Sequence, residues 1–244
     1  MRFSLKKDGV FFLFLAIQCA FWTKAHHVLP NMEVLPPLSS EVTVKASAFG
    51  DEQFYFRALG MQIQNAGDSF GRATPLKDYD FKVLRGWFGL LDTLDARSNY
   101  MPSMAAYYFS NTQKAEDTRY IVDYLTARGD KDPVKNWWWY AQAVTIAKYK
   151  LNDKKLALDI AYKLAAVPDS TIPIWTHQMP AFILADLGET EQAIVIMMNV
   201  ARDYDNLSQG EQNYINYFIM SNKDKLQKLK DIQKQAEQPR YLTP

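Results

Sequence analysis

Leu151-Asn152-Asp153-Lys154-Lys155-Leu156-Ala157 is matched, 36 residues later, by Leu187-Gly188-Glu189-Thr190-Glu191-Gln192-Ala193. Each heptapeptide closes one apolar-periodic stretch on a leucine, turns through two or three polar residues and opens the next stretch with an alanine. That alanine is what close helix–helix approach needs, because a larger side chain pushes the axes apart. Working outward, apolar residues recur at helical rather than alternating spacing from Glu41 onward. Ser40 caps a first helix expected to run through Gly60 to about Ala66. Phe81, Leu84, Trp87, Phe88 and Leu91 then mark one face of a helix over Tyr79–Leu94. Further helices are read at Pro102–Thr112, Glu116–Arg128, Asn136–Leu151, Lys154–Ala166, Pro173–Leu187, Glu189–Tyr204 and Gln209 to about Gln235. Pro102 and Pro173 fall at helix starts, where the missing N–H costs nothing. The connections are short, which folds consecutive helices into antiparallel hairpins. The expected body is all-α.

Composition narrows the classes. The chain has 244 residues, 48% of them hydrophobic and 23% charged, which excludes disorder as its main state. Beyond residue 29 there are 24 basic against 26 acidic residues. A nucleic-acid binder would show a strong basic bias, so no nucleic-acid partner is expected. The single cysteine, Cys19, excludes an intramolecular disulfide and any zinc site built on several cysteines.

The N-terminus carries its own signal. A short basic leader with Arg2, Lys6 and Lys7 precedes the apolar run Val10–Trp22, broken only by Gln18. The run has the length of a signal-peptide core, yet Trp22 and Lys24 sit where interfacial anchors belong. Residues 1–25 are therefore read as a signal-anchor that contacts the membrane through residues 10–22. This puts a single-pass chain in a bacterial inner membrane with its body facing the periplasm. Cleavage near Ala25, releasing a secreted or periplasmic body, is the alternative. Residues 26–40, with Pro30, Pro36 and Pro37, read as an extended linker. A leading helix and loop (41–75), helical repeats (76–220) and a basic C-terminal helix and tail (221–244) complete the plan.

Besides the paired heptapeptides, Tyr108–Ala115 with Asp117–Leu125 repeats the helix–turn–helix, and Pro168-Asp169 sits where such a unit ends. The region from about Asp78 to Ile219 resembles the tetratricopeptide repeat (TPR) family. Ala157, Ala193 and the turn glycine Gly188 match its pattern, while the Trp-Leu-Gly signature of its first helix is absent. The resemblance implies a solenoid of antiparallel hairpins behind the N-terminal apolar helix, its first-helix side chains lining a concave groove. The whole layout resembles bacterial envelope proteins, a likeness that implies no reaction.

Residues with chemistry are few. His177 stands alone in the body, with no nucleophile motif beside it. His26-His27 diverge on an extended segment and make a poor chelate. Neither a metal nor a cofactor is expected. The loop from Gly67 to Pro75 holds Asp68 and Arg72 but lacks the Gly-Lys-Ser/Thr ending and preceding strand of a phosphate loop. It offers a structural or partner-facing ion pair. Acid pairs such as Asp92/Asp95 and Asp203/Asp205 read as solvated helix ends.

Trp137-Trp138-Trp139-Tyr140 is the least ordinary stretch. Four consecutive aromatics cover every side of a helix, so at least one points away from the hairpin interior. With Tyr108 before it, and Trp175 and Gln178 one repeat later, this block is the expected contact face for a protein or peptide partner. A scaffold needs only such a surface. The competing class, a small all-α enzyme using His177, Asp68 or Arg72, needs a constellation that the spacing does not supply.

Overall fold

The computed structural model describes residues 5–27, 33–69, 71–168, 171–204 and 207–236. Pro30, Phe70, Asp169, Asp205 and Arg240 lie outside them, as do the side chains of Lys6, Lys7 and Arg72. Helices dominate: α1 (Leu5–Ala25), α2 (Glu41–Ser47), α3 (Glu52–Gln64), α4 (Phe81–Leu94), α5 (Tyr100–Ser103), α6 (Thr118–Lys131), α7 (Pro133–Tyr149), α8 (Lys154–Ala165), α9 (Trp175–Leu187), α10 (Thr190–Asp203) and α11 (Gln209–Ala236). The one ladder among the described residues is a two-residue hairpin, β1 (Asp68–Ser69) against β2 (Arg72–Ala73). From α6 to α11 each helix packs on the next in sequence order, with one to four residues joining α6 to α7, α7 to α8 and α9 to α10.

The turns follow from their residues. Asp80, Asp132 and Asp153 cap α4, α7 and α8, each side chain accepting a backbone N–H of the first turn. Pro133 fills the first position of α7. The two matching turns share a backbone device: Asn152 has φ +58° and Gly188 has φ +88°. Glycine and asparagine are the residues that enter this left-handed region most readily. Ala157 and Ala193, next along each heptapeptide, are both fully buried, so the close approach that called for alanine is present. The α4 stripe Phe81, Leu84, Trp87, Phe88 and Leu91 is likewise buried.

Three expectations change. The first helix does not run unbroken from Ser40: the chain turns at Phe49 and Gly50, both at positive φ, and Asp51 recaps α3 by accepting from the Phe54 N–H at 2.9 Å. The signal was Gly50-Asp51, a stop followed by a cap. Second, the Pro-rich segment is not a free spacer throughout. Leu35 is buried, the Trp87 indole donates to the Pro36 carbonyl at 2.9 Å, and Leu38 covers Gly86, where a Cβ would come within 2.7 Å of it.

The third correction concerns the membrane. Among the described residues no helix is long and apolar enough to cross one, which overturns the single-pass inner-membrane placement with a periplasmic body. The 13-residue run Val10–Trp22 rises only ~20 Å at ~1.5 Å per residue, against a hydrocarbon core of ~30 Å. Extending it takes in Asp8 on one side and Lys24 on the other. From Val10 to Trp22 the large apolar side chains of α1 are exposed.

Candidate functional site

The aromatic block divides by helix geometry. Trp139 and Tyr140 are buried. Tyr140 lies flat on Gly129 of α6, where a Cβ would meet its ring at 2.5 Å, and its hydroxyl donates to Asp130 at 2.7 Å. Trp138 is 41% exposed, and Trp137 is half-buried. The Trp138 indole donates to the Tyr107 hydroxyl at 2.9 Å. Its ring and that of Trp137 meet Trp175 edge-on, with centroids 6.5 and 5.9 Å away. Tyr107, Trp137/Trp138 and Trp175 thus form a continuous row across three segments: the run after α5, then α7 and α9. The row joins residues that are distant in the chain. Gln178 does not belong to it, being buried inside α9. Three residues on from Trp175, about 60° around the helix axis, it falls on the side that packs inward.

Tyr108 is also displaced from the row. Between α5 and a 3-10 turn at Phe109–Asn111, the backbone widens into a π-turn over Met104–Tyr108. This irregularity sends Tyr107 toward Trp138, while Tyr108 lines a separate groove with Asp68. That groove, of about 420 Å³, is bounded by Gln64, Asn65, Gly67, Asp68, Ala73, Thr74, Tyr79, Met104 and Tyr108. Asp68 is exposed on its rim, in β1, and the backbone of Arg72 pairs with Ser69 in β2. A neighbouring groove of about 650 Å³ runs between Val34–Pro37 and the α3 residues Ala58, Met61 and Gln62.

The remaining polar candidates make contacts within the fold. His177 Nδ1 lies 2.8 Å from the Ala165 carbonyl and its ring rests on Tyr204 at 5.0 Å. It ties the end of α8 to α9, and among the described residues no carboxylate bonds to it. Asp92, read as a solvated helix end, is buried. Its Oδ1 accepts from the Tyr124 hydroxyl at 3.0 Å and sits 2.9 Å from Arg128 Nη1, while Lys131 approaches Oδ2 at 3.7 Å. Arg128 Nη2 donates to the Ala96 and Ser98 carbonyls, fixing the turn after α4. Burial pushes the Asp92 carboxyl above its usual range against the pull of Arg128 and Lys131, and pushes the Tyr124 phenol well up. A bare carboxylate has no sequence signature of burial, so this cluster is not legible in the sequence.

Ser110 and Lys150 also meet, with Nζ 2.9 Å from Oγ. A serine–lysine pair suits a nucleophile with its base. Here, however, Lys150 spends its protons on Ser110 Oγ, the Ser110 carbonyl (3.2 Å) and Asn111 Oδ1 (2.8 Å). Ser110 is buried and donates to the Ala106 carbonyl. The pair closes the end of the irregular helix. Among the described residues no cluster of three or more histidine, cysteine or acidic side chains is placed to hold a metal. No family model, curated protein or solved structure matches the chain.

Proposed function

We propose that the chain is a TPR-like helical scaffold that holds a protein or peptide partner on the row Tyr107, Trp138, Trp137 and Trp175. The observation that carries this reading is the row itself. Three segments distant in the chain join their aromatic rings, and two of those rings, Tyr107 and Trp138, stay more than a third exposed. Trp and Tyr are frequent interface anchors because they offer large rigid area with a polar handle. The matching turns at Asn152 and Gly188, with their buried alanines, support the repeat architecture. A repeat stack of this kind needs no catalytic group to work.

Peptide display selected on the full chain tests the reading. Trp138→Ala is expected to cost the selected peptides about 2 kcal/mol of binding or more while leaving the melting temperature near its starting value. Trp139→Ala serves as the core control. Selection that returns no binder, or binders indifferent to Trp138→Ala, sinks the proposal.

A further inference from the structure

The groove beside the row holds a second, independent feature. Tyr79 is 7% exposed and lines it, yet among the described residues its hydroxyl has no hydrogen-bond partner. The hydroxyl rests on Gly67, where a Cβ would come 2.1 Å from its oxygen. Only glycine leaves room for it there. Phe109, buried beneath, holds the Tyr79 ring at 6.0 Å and the Tyr108 ring at 4.9 Å. The ring is buried, and the hydroxyl is the polar tip that it presents to the groove.

We propose that this groove binds a neutral, hydroxylated ring of hexose size, with the Tyr79 hydroxyl donating to a ligand oxygen. The volume of about 420 Å³ falls in the lower part of the ~300–1,000 Å³ range of small-molecule sites. The walls are rich in uncharged donors and acceptors. Gln64 accepts from the Tyr100 hydroxyl through Oε1, which leaves its amide protons for the groove. Asn65 and Thr74 add an amide and a hydroxyl, and Asp68 adds acceptors on the rim. The Tyr108 ring and the Met104 thioether give an apolar wall for the C–H face of a ring. Asp68 is the charged side chain among the described ones that border the groove, and it repels an anion. A cation would satisfy Asp68 but would face the proton of Tyr79 and the amide protons of Gln64. Burial pushes the Tyr79 phenol up to about 12, so it remains a donor throughout the physiological range.

Saturation-transfer NMR on the full chain, with glucose and N-acetylglucosamine as probes, tests the site. Glucose 6-phosphate and choline serve as anionic and cationic controls. At least one neutral sugar should bind, and more tightly than either control. Tyr79→Phe should weaken that sugar by about three- to tenfold, the range of one neutral hydrogen bond, at an unchanged melting temperature. Asp68→Ala, on the exposed rim, should also weaken it without loss of stability. Absence of sugar binding, a preference for choline or the phosphate, or equal affinity in Tyr79→Phe overturns the proposal. So does a fall in melting temperature with Tyr79→Phe, which would mean the hydroxyl is held within the fold.

Discussion

Tyr124 and Tyr79 stand at the two ends of one aromatic chain. Tyr124 packs on Phe88 at 5.0 Å, Phe88 on Phe109 at 5.6 Å, and Phe109 on Tyr79 at 6.0 Å. Both phenols are buried, yet their hydroxyls meet opposite fates. Tyr124 donates to Asp92, inside a cluster whose carboxylate also meets Arg128 and Lys131. Tyr79 donates to no described residue and borders a groove. The first end is a polar knot that ties α4 to α6; the second is a polar surface left open. The contrast shows that burial alone does not separate structure from function. What differs is where the polar tip goes: into the fold at Tyr124 and to the groove at Tyr79.

The largest break in this comparison should come from Asp92→Ala, which strands the Arg128 charge in the interior. It should cost about 3–5 kcal/mol of folding stability in urea titrations. Asp68→Ala, at the open end, should stay within about 0.5 kcal/mol. A loss below 1 kcal/mol for Asp92→Ala would mean the knot is not closed. Trp139→Ala should cost a similar ~3–5 kcal/mol by emptying core volume, whereas Trp138→Ala, with its ring partly in water, should cost clearly less. Equal losses would make the whole block core and remove the exposed row.

A finer test compares the phenols directly. Tyr124→Phe should cost about 1–3 kcal/mol, because it deprives a buried carboxylate of a donor. Tyr79→Phe, which removes a hydroxyl bonded to no described residue, should be near neutral in thermal melts. The smallest effect concerns pH. Burial pushes the Asp130 carboxyl up, but the Lys163 ammonium and the Tyr140 hydroxyl outweigh it, leaving the group below its usual range. A lowered folded-state value means that the stabilisation is present above about pH 4 and is lost as pH falls through the folded value. Asp130→Asn should therefore flatten the acid limb of the stability profile below pH 4 and leave the neutral region nearly parallel to the parent.

Much of the fold was legible because it rests on local rules. The helical spacing of Phe81, Leu84, Trp87, Phe88 and Leu91 picked out a stripe that is buried. The paired heptapeptides located two turns that share a left-handed residue and a buried alanine. The break at Gly50-Asp51 is legible too, although the helical periodicity continues across it. The apolar run at Val10–Trp22 misled through its flanks: basic and aromatic neighbours suggested an anchor, while its length falls short of a membrane core. The candidate site was legible only in part. Four aromatics in a row guaranteed one facing outward, but not which one. Tyr107, rather than Tyr108, joins the row because the π-turn shifts the register.

By itself, then, the sequence determined the all-helical class, the position of most turns and the presence of a surplus aromatic face. These depend on periods and caps that operate over a few residues. Only the tertiary structure decided that Asp92 is interior, that Gln178 leaves the surface, and that Gly67, Tyr79 and Tyr108 converge around one groove. Those outcomes join residues far apart in the chain. Their relative placement follows from how whole helices pack, and no local spacing encodes it.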